Sequence, residues 1–318
     1  MKMKTCLALV YAVPLLLATT AATATPFYFS TGNPDGKMGM ASRPDTPGKF
    51  EIESADDFVL TQQTSITSAT FTGLLTGNAT LAVGLVGVEI YRVFPDDSNV
   101  GLTSGAPTFS TPKVPTRVNS PSDVAFDARD SGGGLSFATT DLGPFTANNS
   151  IQPGGIHAKP GQTTGGDGAV TGEEVEFDVS FATPFDLPAG HYFFVPQVEI
   201  TDPAGDFFWL SAPRPIVPPG TPFPPGFTDL QAWTRDQFLD LDWLRVGTDI
   251  VGGQTPPTFN AAFSLTGETE AGSSVPEPGS LFLIVAGSLA LFLARQRQSG
   301  NPAYAKTVVK SDDHTQAH

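Results

Sequence analysis

Residues 174–181 alternate without a break between polar and apolar side chains: Glu174-Val175-Glu176-Phe177-Asp178-Val179-Ser180-Phe181. A period of two belongs to an extended strand, whose successive side chains point to opposite faces; a helix cannot gather that pattern onto one stripe. The alternation predicts a half-solvated sheet with Val175, Phe177, Val179 and Phe181 on its core side. After Phe185-Asp186-Leu187 and the turn Pro188-Ala189-Gly190, a second strand is expected over residues 191–200, with Tyr192, Phe194, Val198 and Ile200 sharing a face. Residues 83–94 form a denser apolar run around Glu89 and Arg92, read as a central strand. Residues 65–72, 261–266 and the short aromatic stretch 207–210 are further candidates. The nearest approach to an amphipathic helix is residues 229–244, whose Trp233, Trp243 and scattered Asp suit two short strands equally well. Many short strands punctuated by Gly and Pro predict an all-β fold, an antiparallel β-sandwich of jelly-roll-like type. Residues 104–121, 148–172 and 213–225 read as irregular loops or extended Pro-rich connections.

Composition agrees with a large β core. The 24 Phe against 5 Tyr and 3 Trp place most aromatic mass in an interior, because Phe brings no polar atom that needs a partner. Between residues 25 and 274 there are 29 Asp and Glu against 11 Lys and Arg, a balance that repels phosphate backbones and excludes nucleic acid as a partner. The single cysteine, Cys6, lies in the extreme N-terminal segment, so disulfides, thiol chemistry and cysteine metal sites are not expected beyond it. A chain that folds without disulfides fits a bacterium better than a small secreted eukaryotic domain.

Both ends of the chain carry apolar segments of a different kind. Met1-Lys2-Met3-Lys4 is basic, residues 6–18 are apolar apart from the break at Pro14, and Ala22-Thr23-Ala24 offers the small residues of a cleavage site before Thr25. That order is the pattern of a secretory signal, removed by signal peptidase at Ala22/Ala24. Near the other end, Val275-Pro276-Glu277-Pro278-Gly279-Ser280 precedes 14 uncharged residues, Leu281 to Ala294, followed by Arg295-Gln296-Arg297. Proline at 276 and 278 keeps the backbone extended and accessible. As a helix the apolar run would be about 21 Å long, short of the roughly 30 Å hydrocarbon core. The arginines mark its cytoplasmic end.

These C-terminal residues resemble the PEP-CTERM sorting domain of Gram-negative bacteria that make exopolysaccharide. The three ordered parts are Pro276-Glu277-Pro278, the apolar run and Arg295/Arg297. The resemblance implies recognition and cleavage by an exosortase, transient residence in the inner membrane, and release to the envelope, surface or medium. The central part is similar to β-sandwich domains of such proteins at Ala55-Asp56-Asp57-Phe58-Val59-Leu60, Leu187-Pro188-Ala189-Gly190-His191-Tyr192 and Ala261-Ala262-Phe263-Ser264-Leu265-Thr266-Gly267. The expected organisation is a signal peptide (1–24), a β-sandwich (25–267), a linker (268–274), the sorting and short transmembrane segment (275–298) and a polar tail (299–318).

Candidates for chemistry are few. Only His157 and His191 fall in the central part, and neither accompanies a G-x-S-x-G turn, so each is expected to be a solvated or edge imidazole. Carboxylates occur in close pairs at Asp56/Asp57, Asp96/Asp97, Glu173/Glu174 and in the group Asp236/Asp240/Asp242; glycoside hydrolysis would need two facing each other across a cleft. No cofactor is expected, and calcium is the one metal considered: Asp96, Asp97, Asp202 and Asp206 lie in loops and offer oxygen ligands, without the spacing of an EF-hand. Trp209, Trp233 and Trp243 are expected in the core, with a sugar-stacking platform as the alternative. The resulting expectation is a non-enzymatic structural or interaction protein of the cell envelope. A carbohydrate-binding module for exopolysaccharide is the alternative, and a glycoside hydrolase stands behind both.

Overall fold

Where apolar residues alternate or crowd between residues 24 and 270, the computed structural model places strands. It describes residues 24–77, 82–97, 119–156, 163–213, 220–222, 224–227, 230–239, 243–270 and 287–289. The chain divides into two units, Met1–Gly272 and Ser273–His318. In the first, the described strands are β1 (Thr25–Ser30), β2 (Met38–Ala41), β3 (Ile52–Leu60), β4 (Thr64–Leu75), β5 (Val83–Arg92), β6 (Asp127–Asp130), β7 (Leu135–Ala147) and β8 (Asn149–Ile151). They continue with β9 (Val170–Leu187), β10 (Gly190–Ile200), β11 (Phe207–Ala212), β12 (Trp233–Asp236), β13 (Leu244–Arg245), β14 (Asn260–Ala261) and β15 (Phe263–Thr269).

Two sheets form. One runs β1-β15-β4-β11-β2-β8, with β9 and then β7 along the other edge of β4 and β14 against β11; the second runs β13-β12-β3-β10-β5-β6. Every pairing is antiparallel except β2 with β8. Strand β4 is the hinge of the larger sheet. Along one edge it pairs with β9, and along the other β15 gives way to β11 at Gly73.

The sheets face each other across a core of phenylalanine. Phe194 of β10 stacks on Phe263 of β15 with centroids 5.1 Å apart and planes 2° from parallel. Phe71 of β4 lies 6.2 Å from Phe194 and stacks on Phe177 at 4.9 Å. Each such ring, fully withdrawn from water, contributes about 1.5–3 kcal/mol. Gly73 makes room for one of them: a β-carbon there would sit 2.2 Å from the ring of Phe207 and 2.7 Å from the carbonyl of Phe208.

The predicted inward set of the 174–181 strand, Val175, Phe177, Val179 and Phe181, is buried. On β10 the expected face, Tyr192, Phe194, Val198 and Ile200, joins the same core. Its other face is buried too. Phe193 and Val195 form a second, smaller core with Ala55, Tyr91, Trp233 and Trp243, so the six-stranded sheet is covered on both sides. Trp243 caps this outer cluster and is tied to the 119–126 segment, its indole Nε1 donating to the Ser122 carbonyl at 2.9 Å.

Several boundaries shift. The 229–244 stretch resolves into β12, a 3-10 turn at Gln237–Leu239 and β13, the two-strand alternative. Within the expected loop 148–172, residues 149–151 form β8 because they find an open edge on β2. Strand β15 continues through Glu268 and Thr269, where a linker was expected, since Pro26 and Thr25 offer partners. Residues 98–118, 157–162 and 214–219, which hold most of the other predicted loops, lie outside the described residues. Among the described residues, all ladders and both cores draw on residues 24–270.

Candidate functional sites

The ladder between β1 and β15 ends with Thr25 opposite Thr269. The first residue after the predicted signal and the last strand before the predicted sorting signal are therefore rungs of one antiparallel pair. Ala24 is exposed directly before β1, while Ala22 lies outside the described residues. Among the described residues of the first unit, the last backbone tie is Glu270 N–H donating to the Gln63 carbonyl at 3.0 Å. Pro276, Glu277, Pro278, Arg295 and Arg297 lie outside the described residues, as does most of the predicted membrane segment. Residues 287–289 are helical, and among the described residues no helix is long and apolar enough to cross a membrane.

The pair Asp56/Asp57 is separated by the pleat. Asp56 turns inward and its Oδ2 accepts from the Ala261 N–H at 2.8 Å. Asp57 turns outward, where its Oδ2 meets His191 Nε2 at 2.9 Å. His191, expected as a solvated edge imidazole, thus has a buried carboxylate partner and packs edge-on against Phe227 at 5.5 Å. Asp236 Oδ1 accepts from the Phe238 N–H at 2.8 Å, fastening the 3-10 turn. Asp240, Asp242 and His157 lie outside the described residues.

Of the four calcium candidates, the Asp97 and Asp206 carboxylates are paired with arginines, and Asp96 and Asp202 are held through their backbone carbonyls. Lys49 Nζ donates to the carbonyls of Ile200 at 3.1 Å, Asp202 at 2.9 Å and Gly205, so an ammonium occupies the concavity of the 202–206 turn. Asp206 pairs with Arg43. Asp97 accepts from Arg92 Nε at 2.5 Å, and the Asp96 carbonyl accepts from the Ser122 hydroxyl. Among the described residues no group of three or more His, Cys, Asp or Glu is gathered as a metal site. The tryptophan platform is ruled out by burial: Trp209, Trp233 and Trp243 are each 0 % exposed.

A charged cluster that the sequence reading did not assemble sits on the outward face of the six-stranded sheet. Register places Arg235 of β12 opposite Glu53 of β3, and their side chains pair. Arg235 Nη2 also donates to the Tyr91 hydroxyl at 3.0 Å and Nη1 to the Asp123 carbonyl at 3.2 Å, with the guanidinium 4.4 Å from the Trp243 ring centroid. The Tyr91 hydroxyl lies 2.5 Å from Glu53 Oε1 and 2.7 Å from Glu89 Oε2. A phenol has one proton and can donate to only one of them. With both carboxylates ionised, one of these short oxygen–oxygen contacts would lack a hydrogen, so the arrangement calls for a proton on Glu89. Burial, and then the charge of Glu53, push the Glu89 carboxyl up to about 7. Burial would raise Glu53 as well, but the charge and hydrogen bonds of Arg235 hold it below the usual carboxylate range. Glu89 and Arg92 stood out in the sequence as polar residues within an apolar strand; only the fold supplies Glu53 and Arg235 as neighbours.

Compared with known proteins, residues 274–298 match the PEP-CTERM protein-sorting motif. No curated protein and no solved structure matches the chain. The chain therefore carries the signal of an exported, exosortase-targeted protein, joined to an antiparallel β-sandwich.

Proposed function

We propose that this chain is a structural or interaction protein of a Gram-negative cell envelope or extracellular matrix, without catalysis of its own. It is exported by its N-terminal signal, held transiently in the inner membrane and cut by an exosortase at the Pro276–Pro278 segment. The observation that carries the reading is the sorting motif at residues 274–298. Two features of the sandwich support it. The close carboxylate pair Asp56/Asp57 splits between the faces of β3, and the Asp97 and Asp206 carboxylates are bound by Arg92 and Arg43, which favours an interaction role over glycoside hydrolysis. The ladder partner of Thr25 is Thr269, so cleavage at both ends would leave a closed domain with no strand removed.

The test is Glu277→Ala in the native host, with C-terminal processing followed by blot and by mass spectrometry of the released protein. The expected result is retention of residues 281–318 and loss of release. Unchanged migration together with unchanged release would overturn the proposal.

A further inference from the structure

The larger sheet has an outward face of unusual chemistry. Because Phe27 and Phe29 of β1, Phe263 and Leu265 of β15, Ala69 and Phe71 of β4, and Phe177 and Val179 of β9 turn toward the core, the residues between them turn outward. Register aligns these into rows across five strands, β1, β15, β4, β9 and β7. One row reads Tyr28, Thr266, Ser68, Ser180, Ser136; the next reads Ser30, Ser264, Thr70, Asp178, Ala138; a third reads Thr72, Glu176, Thr140. Of these 13 positions ten carry a hydroxyl, two a carboxylate and one a methyl. None of the five strands contains Lys, Arg or His.

The face is not featureless. An open groove of about 310 Å³ lies over β1, β15, β4 and β9, bordered by Tyr28, Ser30, Thr70, Thr72, Glu176 and Asp178. At its rim Tyr28 is 61 % exposed, although an aromatic side chain gains nothing from standing in water. Ser264 and Thr70 hydroxyls meet at 3.1 Å across the groove floor.

We infer that this groove binds a neutral polysaccharide, with the Tyr28 ring stacking on a sugar face and Asp178 and Glu176 accepting from sugar hydroxyls. Three physical arguments select that occupant. A protein partner would need an apolar anchor region, and apart from Tyr28 the 13 outward positions carry only hydroxyls, carboxylates and one methyl. An acidic glycan, a nucleic acid or an anionic lipid surface would meet two carboxylates and no compensating cation. A neutral polyol meets donors and acceptors along each row, where successive strands stand about 4.8 Å apart, a step close to one pyranose of an extended chain. The inference deepens the envelope-interaction reading and rests on it for biological setting only.

The test uses residues 25–272, which contain both cores and every described ladder, in isothermal titration calorimetry. The probes are barley β-glucan, galactomannan and dextran, with alginate and polylysine as charged controls. Saturable heat is expected with at least one neutral polymer and not with alginate. Tyr28→Ala and Asp178→Ala should each weaken that binding about tenfold, the scale of one lost stacking or hydrogen-bonding partner, with an unchanged melting temperature. Phe238→Ala, which removes an exposed aromatic elsewhere on the domain, should leave it intact. Silence with all three neutral polymers, equal binding by the Tyr28 variant, or binding confined to alginate or polylysine would each overturn the inference. C-terminal processing is read in a separate experiment, so failure here leaves the sorting proposal standing and the reverse holds too.

Discussion

Replacing Glu89 with Gln tests the proton count of the buried cluster. In the folded domain the Glu89 carboxyl is raised from an ordinary 4.5 to about 7, by burial first and the Glu53 charge second. A carboxyl raised on folding binds its proton more tightly in the native state. Its stabilising contribution is complete below pH 4.5 and is lost as the pH rises toward 7. At 1.36 kcal/mol per pH unit, the interval corresponds to about 3 kcal/mol. Gln keeps the size and can still donate to Tyr91 or Glu53, but it does not titrate. The assay is urea unfolding of residues 25–272 followed by tryptophan fluorescence at steps from pH 4.5 to 8. Stability of Glu89→Gln relative to wild type should climb by about 3 kcal/mol across that range. In a domain of this size the same change moves the melting temperature by roughly 6–12 °C. Glu174, whose carboxyl burial also raises, titrates in both proteins and cancels in the difference, while the Glu51 charge is one of the causes that raise Glu89 and is part of the effect measured. A difference curve that stays flat, or falls with pH, would refute the protonated Glu89 and the hydrogen-bond order built on it.

Other perturbations follow from the same packing. Arg235→Met leaves the Glu53 carboxylate buried without its cation and should cost about 3–5 kcal/mol in urea unfolding, with much of the loss recovered by adding Glu53→Gln. Gly73→Ala drives a methyl into the Phe207 ring and should lower stability by about 1–3 kcal/mol, whereas Gly48→Ala, with open space around its α-carbon, gives the cost of a left-handed backbone alone. Trp243→Ala empties the lid of the outer core and should cost about 3–5 kcal/mol, visible in the same denaturation curves.

What was legible in the sequence was local. The 174–181 alternation located β9 and its inward face because strand periodicity is a property of neighbouring residues, and the ordered Pro-Glu-Pro, apolar and arginine segments need no tertiary partner to be read. The second buried face of β10 was not legible: Phe193 and Val195 become core only because Trp243 and the 119–126 segment cover them from outside the sheet. The partner of His191 comes from 134 residues away, that of Arg235 from 182, and Thr25 meets Thr269 across 244, separations at which sequence pattern carries no pairing information. Burial of the three tryptophans and the rows of outward hydroxyls were decided the same way, by register between strands distant in the chain. Composition and period determined that this protein would be a β-sandwich, and the ordered residues near its C-terminus that it carries a sorting motif. Which side chains share a dielectric, a proton or a groove was decided by strand pairing, because charge and hydrogen-bond energies depend on distance in space and not along the chain.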